Sequence, residues 1–179
     1  MAEFDLSRVV IRKAVESDLP HMRGESNAPY LQFLFQTAYQ GMLRGEQVLW
    51  VAEHAGIAGL IGQVFVQFKS VRETLADGVE RAYFYSFHVA EPYRRNGLGS
   101  HLLNWLENDL RGRGFSLVTL TVEKENTQAR RLYERHGYRL VGEEVVNVRS
   151  ERVDEVWTRI EEYAWRMEKR LFSVKPFSL

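Results

Sequence analysis

Six consecutive residues, Arg94-Arg95-Asn96-Gly97-Leu98-Gly99, hold the clearest chemical signal in this chain. Two glycines one residue apart, just ahead of an amphipathic segment, expose several backbone N–H groups at a helix start. Such a turn seats the oxygens of a phosphate-bearing ligand. The two arginines add fixed positive charge. The ligand class narrows by what the turn lacks. The third glycine of a G-x-G-x-x-G dinucleotide turn is replaced by Leu102, and no Gly-Lys-Ser/Thr follows as a Walker loop requires.

A second constellation lies downstream: Asn126-Thr127-Gln128-Ala129-Arg130-Arg131-Leu132-Tyr133, closed by Gly137-Tyr138. Charge supports reading the two together. Residues 1–92 hold 8 Lys/Arg against 11 Asp/Glu, residues 93–139 hold 9 against 5, and residues 140–179 hold 7 against 8. The positive excess thus falls on the segment with both motifs, which suits a multiply charged anion. With a net charge of zero over the whole chain, no general nucleic-acid or anionic-membrane surface is indicated. The absence of cysteine excludes disulfides, thiol nucleophiles and thiolate metal sites. His21, His54, His101 and His136 show no metal-ligand spacing, so no metal is expected. The start of the chain, Met1-Ala2-Glu3-Phe4-Asp5-Leu6, has neither a basic leader nor a long apolar run, and a cytoplasmic location is expected.

The elements that must position these residues follow from periodicity and punctuation. Residues 1–179 read as one domain. Val9 to Arg12 is a first strand, and Ser17 N-caps a helix with Pro20 in its first turn. Pro29 and Tyr30 open a second helix to about Leu43, with Leu31, Leu34, Phe35, Ala38 and Met42 on one face. Val48 to Glu53 and Ile57 to Phe68 form a hairpin turning at Gly56. Residues 70–80 are a polar loop. Ala82 to Val89, rich in aromatic residues, is a strand stopped by Pro92. Leu98, Leu102, Leu103, Leu106 and Leu110 recur at helical spacing, and Gly112 and Gly114 end that helix. Phe115 to Val122 is a strand, Asn126 to His136 a short helix with Gly137 after it, and Tyr138 to Val148 a strand. Val153, Val156, Trp157 and Ile160 have helical spacing after Ser150, which predicts a helical insertion over 150–161 before a last strand from Tyr163 to Leu171. Hairpins combined with one strand–helix–strand crossover make the class α+β with a mixed sheet.

The strand with its Arg-x-x-Gly-x-Gly turn, the next strand, and then Asn-x-x-Ala-x-x-Leu-Tyr with a Gly-aromatic pair together resemble the GNAT superfamily of acetyl-CoA-dependent N-acetyltransferases. The resemblance is strong from about Tyr83 to Leu140 and extends elsewhere by element order. It implies a mostly antiparallel sheet of about seven strands flanked by about four helices, splayed between strands 4 and 5. It also implies acetyl-CoA as co-substrate. The pantetheine arm would run along the stretch Phe87, His88 and Val89, held by backbone groups of Phe87 and Val89 as a peptide adds to a sheet edge. The pyrophosphate would sit on Arg95, Asn96, Gly97, Leu98, Gly99 and Ser100, with Arg94 and Arg95 close to its oxygens. Asn126 would meet the pantetheine, although its role as a helix cap would alone explain an Asn there. Tyr133 occupies the position of the general acid that protonates the leaving thiolate.

The resemblance further implies direct transfer of acetyl to a primary amine of a small molecule or protein, within a ternary complex. Asn27, Tyr30, Tyr83 and Tyr85 would line the acceptor site. No conventional base stands out. Strict alternation puts Tyr83 and Tyr85 on the face of Phe87 and turns His88 away from them. Thr121 stands where one ribosomal-protein acetyltransferase group carries a glutamate. Glu80, or a water near Tyr83 and Tyr85, is the remaining candidate. Glu143-Glu144 reads as a solvated pair that a cationic substrate could use. A non-catalytic acyl-CoA sensor or partner-binding module with the same fold is the alternative function. A monomer and a homodimer are equally compatible with the chain.

Overall fold

A computed structural model describes residues 4–24, 30–153 and 156–171. Seven strands form one sheet: β1 (Val9–Lys13), β2 (Gln47–His54), β3 (Ile57–Gln67), β4 (Arg81–Val89), β5 (Leu117–Glu123), β6 (Arg139–Val153) and β7 (Val156–Arg170). Their order is β1-β2-β3-β4-β5-β7-β6. Every neighbouring pair is antiparallel except β4 and β5, which are parallel and joined through a helix, as a parallel crossover requires. The described helices are α1 (Tyr30–Leu43), α2 (Leu98–Gly112) and α3 (Thr127–Arg135), with a six-residue 3-10 turn at Glu16–His21.

The helices cover the two faces of the sheet. On one face α2 buries Leu98, Leu102, Leu103, Leu106 and Leu110 against Val64, Val66, Phe84, Val118 and Leu120. The leucine repeat forms this helix because its apolar stripe has a sheet to bury against. On the other face α1 and the 3-10 turn bring Phe35, Ala38, Leu19 and Met22 onto Leu49, Val51 and Phe65. Leu34 sits at the margin of the α1 stripe and stays exposed. None of the described helices is long and apolar enough to cross a membrane.

Two local expectations are corrected. Ser17 does not cap the first helical segment. The Asp18 carboxylate accepts from the Val15 amide and is itself gripped by Arg12, which fixes a 3-10 turn instead. The expected helix over 150–161 is strand: β6 and β7 pair continuously from Asn147–Glu162 out to Val153–Val156. A valine-rich segment beside a partner strand satisfies its backbone by pairing, and this outweighs a helical spacing of only four apolar residues. Residues 154 and 155 lie outside the described set.

Strand β4 has an irregularity that governs the site. Gln63 pairs with His88 and Phe65 with Tyr85, so two steps on β3 face three on β4. The extra residue is accommodated at Ser86, whose φ is +49°. A bulge of this kind bends its strand and raises its twist. The pairing of β4 with β5 covers Arg81–Leu117 to Phe84–Leu120 and stops there. Beyond it both strands run on, β4 to Val89 and β5 to Glu123, with an open wedge between them.

Candidate active site

The wedge has two unlike walls. On the α2 side, Phe84, Phe87, Tyr133 and Tyr138 form a ring cluster. Tyr133 lies edge-on to Phe84 at 5.6 Å and to Phe87 at 6.0 Å between ring centres. Packing on three aromatic neighbours fixes the Tyr133 ring, which is almost wholly buried. Helix α3 presents it because Asn126 caps the helix, its side-chain oxygen accepting from the Ala129 amide at 3.1 Å. The cap role expected of Asn126 is therefore present.

On the opposite wall Tyr83 and Tyr85 stack with ring centres 5.7 Å apart and planes 5° from parallel. The Tyr83 hydroxyl shares a 2.8 Å hydrogen bond with Thr121, and the Tyr85 hydroxyl donates to Gln47 at 2.6 Å. Burial pushes both phenols above their ordinary range, so they remain protonated at neutral pH. They can shape a pocket and hold a proton, but they do not accept one there.

The bulge at Ser86 overturns the alternation expected for this strand. Gln63 and Phe65 are two apart on β3 and share a face, so their partners His88 and Tyr85 share one too. Phe87 instead packs with Phe84 on the α2 side, against Tyr133. His88 therefore belongs to the tyrosine wall and Phe87 does not. Sequence alternation cannot register one inserted residue, and the only signal in the chain was a serine among aromatics.

The glycine turn closes one end of the wedge. Arg95 and Gly97 have φ of +63° and +84°, and no side chain caps α2. The first amides of the helix are thus left for a ligand, at the positive end of the helix dipole. A Cβ on Gly97 would stand 2.9 Å from the Leu6 side chain. One on Gly99 would press on Leu132 at 3.2 Å. Gly97, with its positive φ as well, is the position that requires glycine. Arg94 turns back so that its Nε donates to the Val89 carbonyl at 2.9 Å, holding the exit of β4. Ser100 hydrogen-bonds His136 at 2.9 Å and ties the start of α2 to the end of α3. These features fit a pantetheine arm and pyrophosphate: the edge of β4 that β5 leaves unpaired, at Phe87 and the Val89 amide, leads directly to an uncapped, glycine-built helix start.

The remaining candidates fall apart from this centre. Glu80 precedes the paired end of β4, seven residues from Phe87, about 20 Å along a strand, and its carboxylate accepts from Ser116. Asn27 lies outside the described residues, and Tyr30 opens α1 with its side chain outside the described set. Glu143 and Glu144 are not simply solvated. Glu143 pairs with Lys124 at 2.7 Å, while Glu144 lies between Arg72 and Arg166. Gln63 carries no signal in the sequence. It bonds both main-chain groups of Arg23 and the Ser86 hydroxyl, and so anchors the bulge. Among the described residues no cluster of three or more His, Asp or Glu could hold a metal.

The sequence profile of the Acetyltransferase (GNAT) family matches residues 11–138. No curated protein matches the chain in sequence. Solved structures share its fold. The ribosomal-protein-S18-alanine N-acetyltransferase of Escherichia coli is similar at a TM-score of 0.67 and 21% identity, over 96% of this chain and 99% of that one. Arabidopsis thaliana NAA60 with a bisubstrate analogue reaches 0.69 at 21% identity, over 92% and 99%. The spermidine N-acetyltransferase of Vibrio cholerae with CoA and spermine reaches 0.65 at 18% identity, over 92% and 96%.

Proposed function

The chain belongs to the acetyltransferase (GNAT) family, and from that premise we propose that it transfers acetyl from acetyl-CoA to a primary amine by direct attack in a ternary complex. The observation that carries this reading is the wedge between β4 and β5, with Tyr133 on one wall and an uncapped, glycine-built helix start at its end.

The backbone of Phe87 and Val89 holds the pantetheine arm along the free edge of β4. The amides of residues 95–100 hold the pyrophosphate, and Arg94 and Arg95 add positive charge. Asn126 sets the angle of α3 and thereby the height of Tyr133. Acetyl-CoA supplies an activated thioester. As the carbon–sulfur bond breaks, the Tyr133 hydroxyl gives its proton to the leaving thiolate. The acceptor enters from the wall of Tyr83 and Tyr85, beside the start of α1. The residues near Tyr83 support an acceptor other than a polyamine, because Glu144 already faces two arginines.

The test is thiol release from acetyl-CoA across a panel of primary amines and peptide N-termini. Amine-dependent release with one acetyl added per thiol supports the proposal. Tight acetyl-CoA binding without release would favour the sensor reading.

A further inference from the structure

A primary amine is a cation at neutral pH and must lose a proton before it attacks a thioester. The structure narrows where that proton can go. Tyr83 and Tyr85 stay protonated and are engaged with Thr121 and Gln47. Glu80 stands at the closed end of β4. The bulge, however, brings an imidazole round to the acceptor wall.

The face of β5 that carries Thr121 also carries Glu123, two residues on. Counting from Phe84–Leu120, the last paired rung, Glu123 is three steps along β5. His88 is four residues along β4, and the bulge absorbs one of them. His88 and Glu123 therefore stand level across the open mouth, on the face opposite Tyr133. Other charged or titratable groups around this stretch are Tyr83 and Tyr85 on β4, Arg166 of β7 opposite Thr121, Glu144 and Arg72, which pair with each other near Tyr83, and Arg23, whose main chain grips Gln63 of β3.

We infer that His88 is the general base of the transfer, with Glu123 opposite it to draw the ammonium form of the acceptor into the mouth. The inference rests on the acetyl transfer proposed above. The half-buried imidazole of His88 takes one proton from the ammonium nitrogen. The freed lone pair forms the nitrogen–carbon bond at the thioester carbonyl. As the carbon–sulfur bond breaks, the sulfur takes the Tyr133 proton, and the second proton shed by the nitrogen restores Tyr133. The products are the N-acetyl amide, CoA thiol and a protonated His88, which returns its proton to solvent. Base and acid thus work from opposite walls of one wedge.

The experiment measures kcat/KM against pH for His88→Gln and Glu123→Gln, with acetyl-CoA affinity measured in parallel as a check on folding. His88→Gln should lower kcat/KM for an alkylamine about 100-fold and abolish the acid limb that an imidazole gives the wild type. It should leave acetyl-CoA affinity unchanged, and it should acetylate a weakly basic amine, already neutral at the assay pH, nearly as fast as the wild type does. Glu123→Gln should raise KM for cationic amines alone. Retention of the acid limb in His88→Gln, or equal loss with neutral and cationic amines, would overturn the inference and favour a water relay past the tyrosines. A wild type that binds acetyl-CoA but acetylates no amine would overturn the underlying reading instead, and this inference with it.

Discussion

Tyr133 is held by three rings and is almost wholly buried, so replacing it with phenylalanine removes one oxygen and disturbs little packing. Tyr133→Phe should lower kcat by about 100-fold or more and leave acetyl-CoA affinity unchanged, as read by initial rates and calorimetry. Equal losses in both would point to a packing role. His136 gives a pH signature of a different kind. Burial lowers its pKa below the ordinary 6.5. The unfolded chain therefore takes up a proton near that value while the folded protein resists it. Stability should be unaffected well above 6.5 and should fall as pH drops below it. Urea denaturation at about pH 7.5 and about pH 5.5 should show a smaller acid loss in His136→Gln than in the wild type. At this scale the Asn126 cap and the glycine turn at the start of α2 were legible in the sequence, because those residue types mark helix starts by themselves. The side of the strand on which His88 and Phe87 lie was not, because that depends on pairing with β3.

The bulge in β4 is the element on which the account turns. Ser86 holds a left-handed backbone and accepts a hydrogen bond from Gln63 at 3.0 Å. A β-branched residue resists that backbone, and Ser86→Val should destabilise the protein by about 1–2 kcal/mol in chemical denaturation. It should also weaken acetyl-CoA binding, since the free edge of β4 begins there. Gly97→Ala meets both a positive φ and the Leu6 side chain, and the same two losses are expected. The strands and α2 were readable from alternation and from the leucine repeat. The outer half of the β6–β7 hairpin was not, since four apolar residues at helical spacing mimic a short helix when the partner strand is unseen. An alternation rule holds only until a strand gains a residue, and no local pattern marks that point.

At the level of the whole molecule, the β6–β7 edge of the sheet is fastened to α2 through a buried charge. Glu107 is 2% exposed and accepts from Lys169 at 2.7 and 2.8 Å and from Tyr138 at 3.1 Å. Removing Lys169 leaves the buried carboxylate with Arg111, at 3.3 Å, as its remaining cation, so Lys169→Ala should cost about 1–3 kcal/mol of stability. The same wedge that separates β4 from β5 leaves the molecule open at its centre, and a ligand bridging β4, α2 and α3 should tighten it. Acetyl-CoA at about 100 times its Kd should add about 2.7 kcal/mol to the unfolding free energy, visible as a rise in Tm. The central claim is narrower than binding: an amine is acetylated in that wedge, with Tyr133 supplying the proton. The most direct measurement follows CoA thiol and acetylated amine together in one reaction, for the wild type and for Tyr133→Phe. The account predicts equal amounts of the two products from the wild type, strict dependence on added amine, and turnover about 100-fold lower in the variant at unchanged acetyl-CoA affinity. Thiol release without amine, or a variant as fast as the wild type, would contradict it.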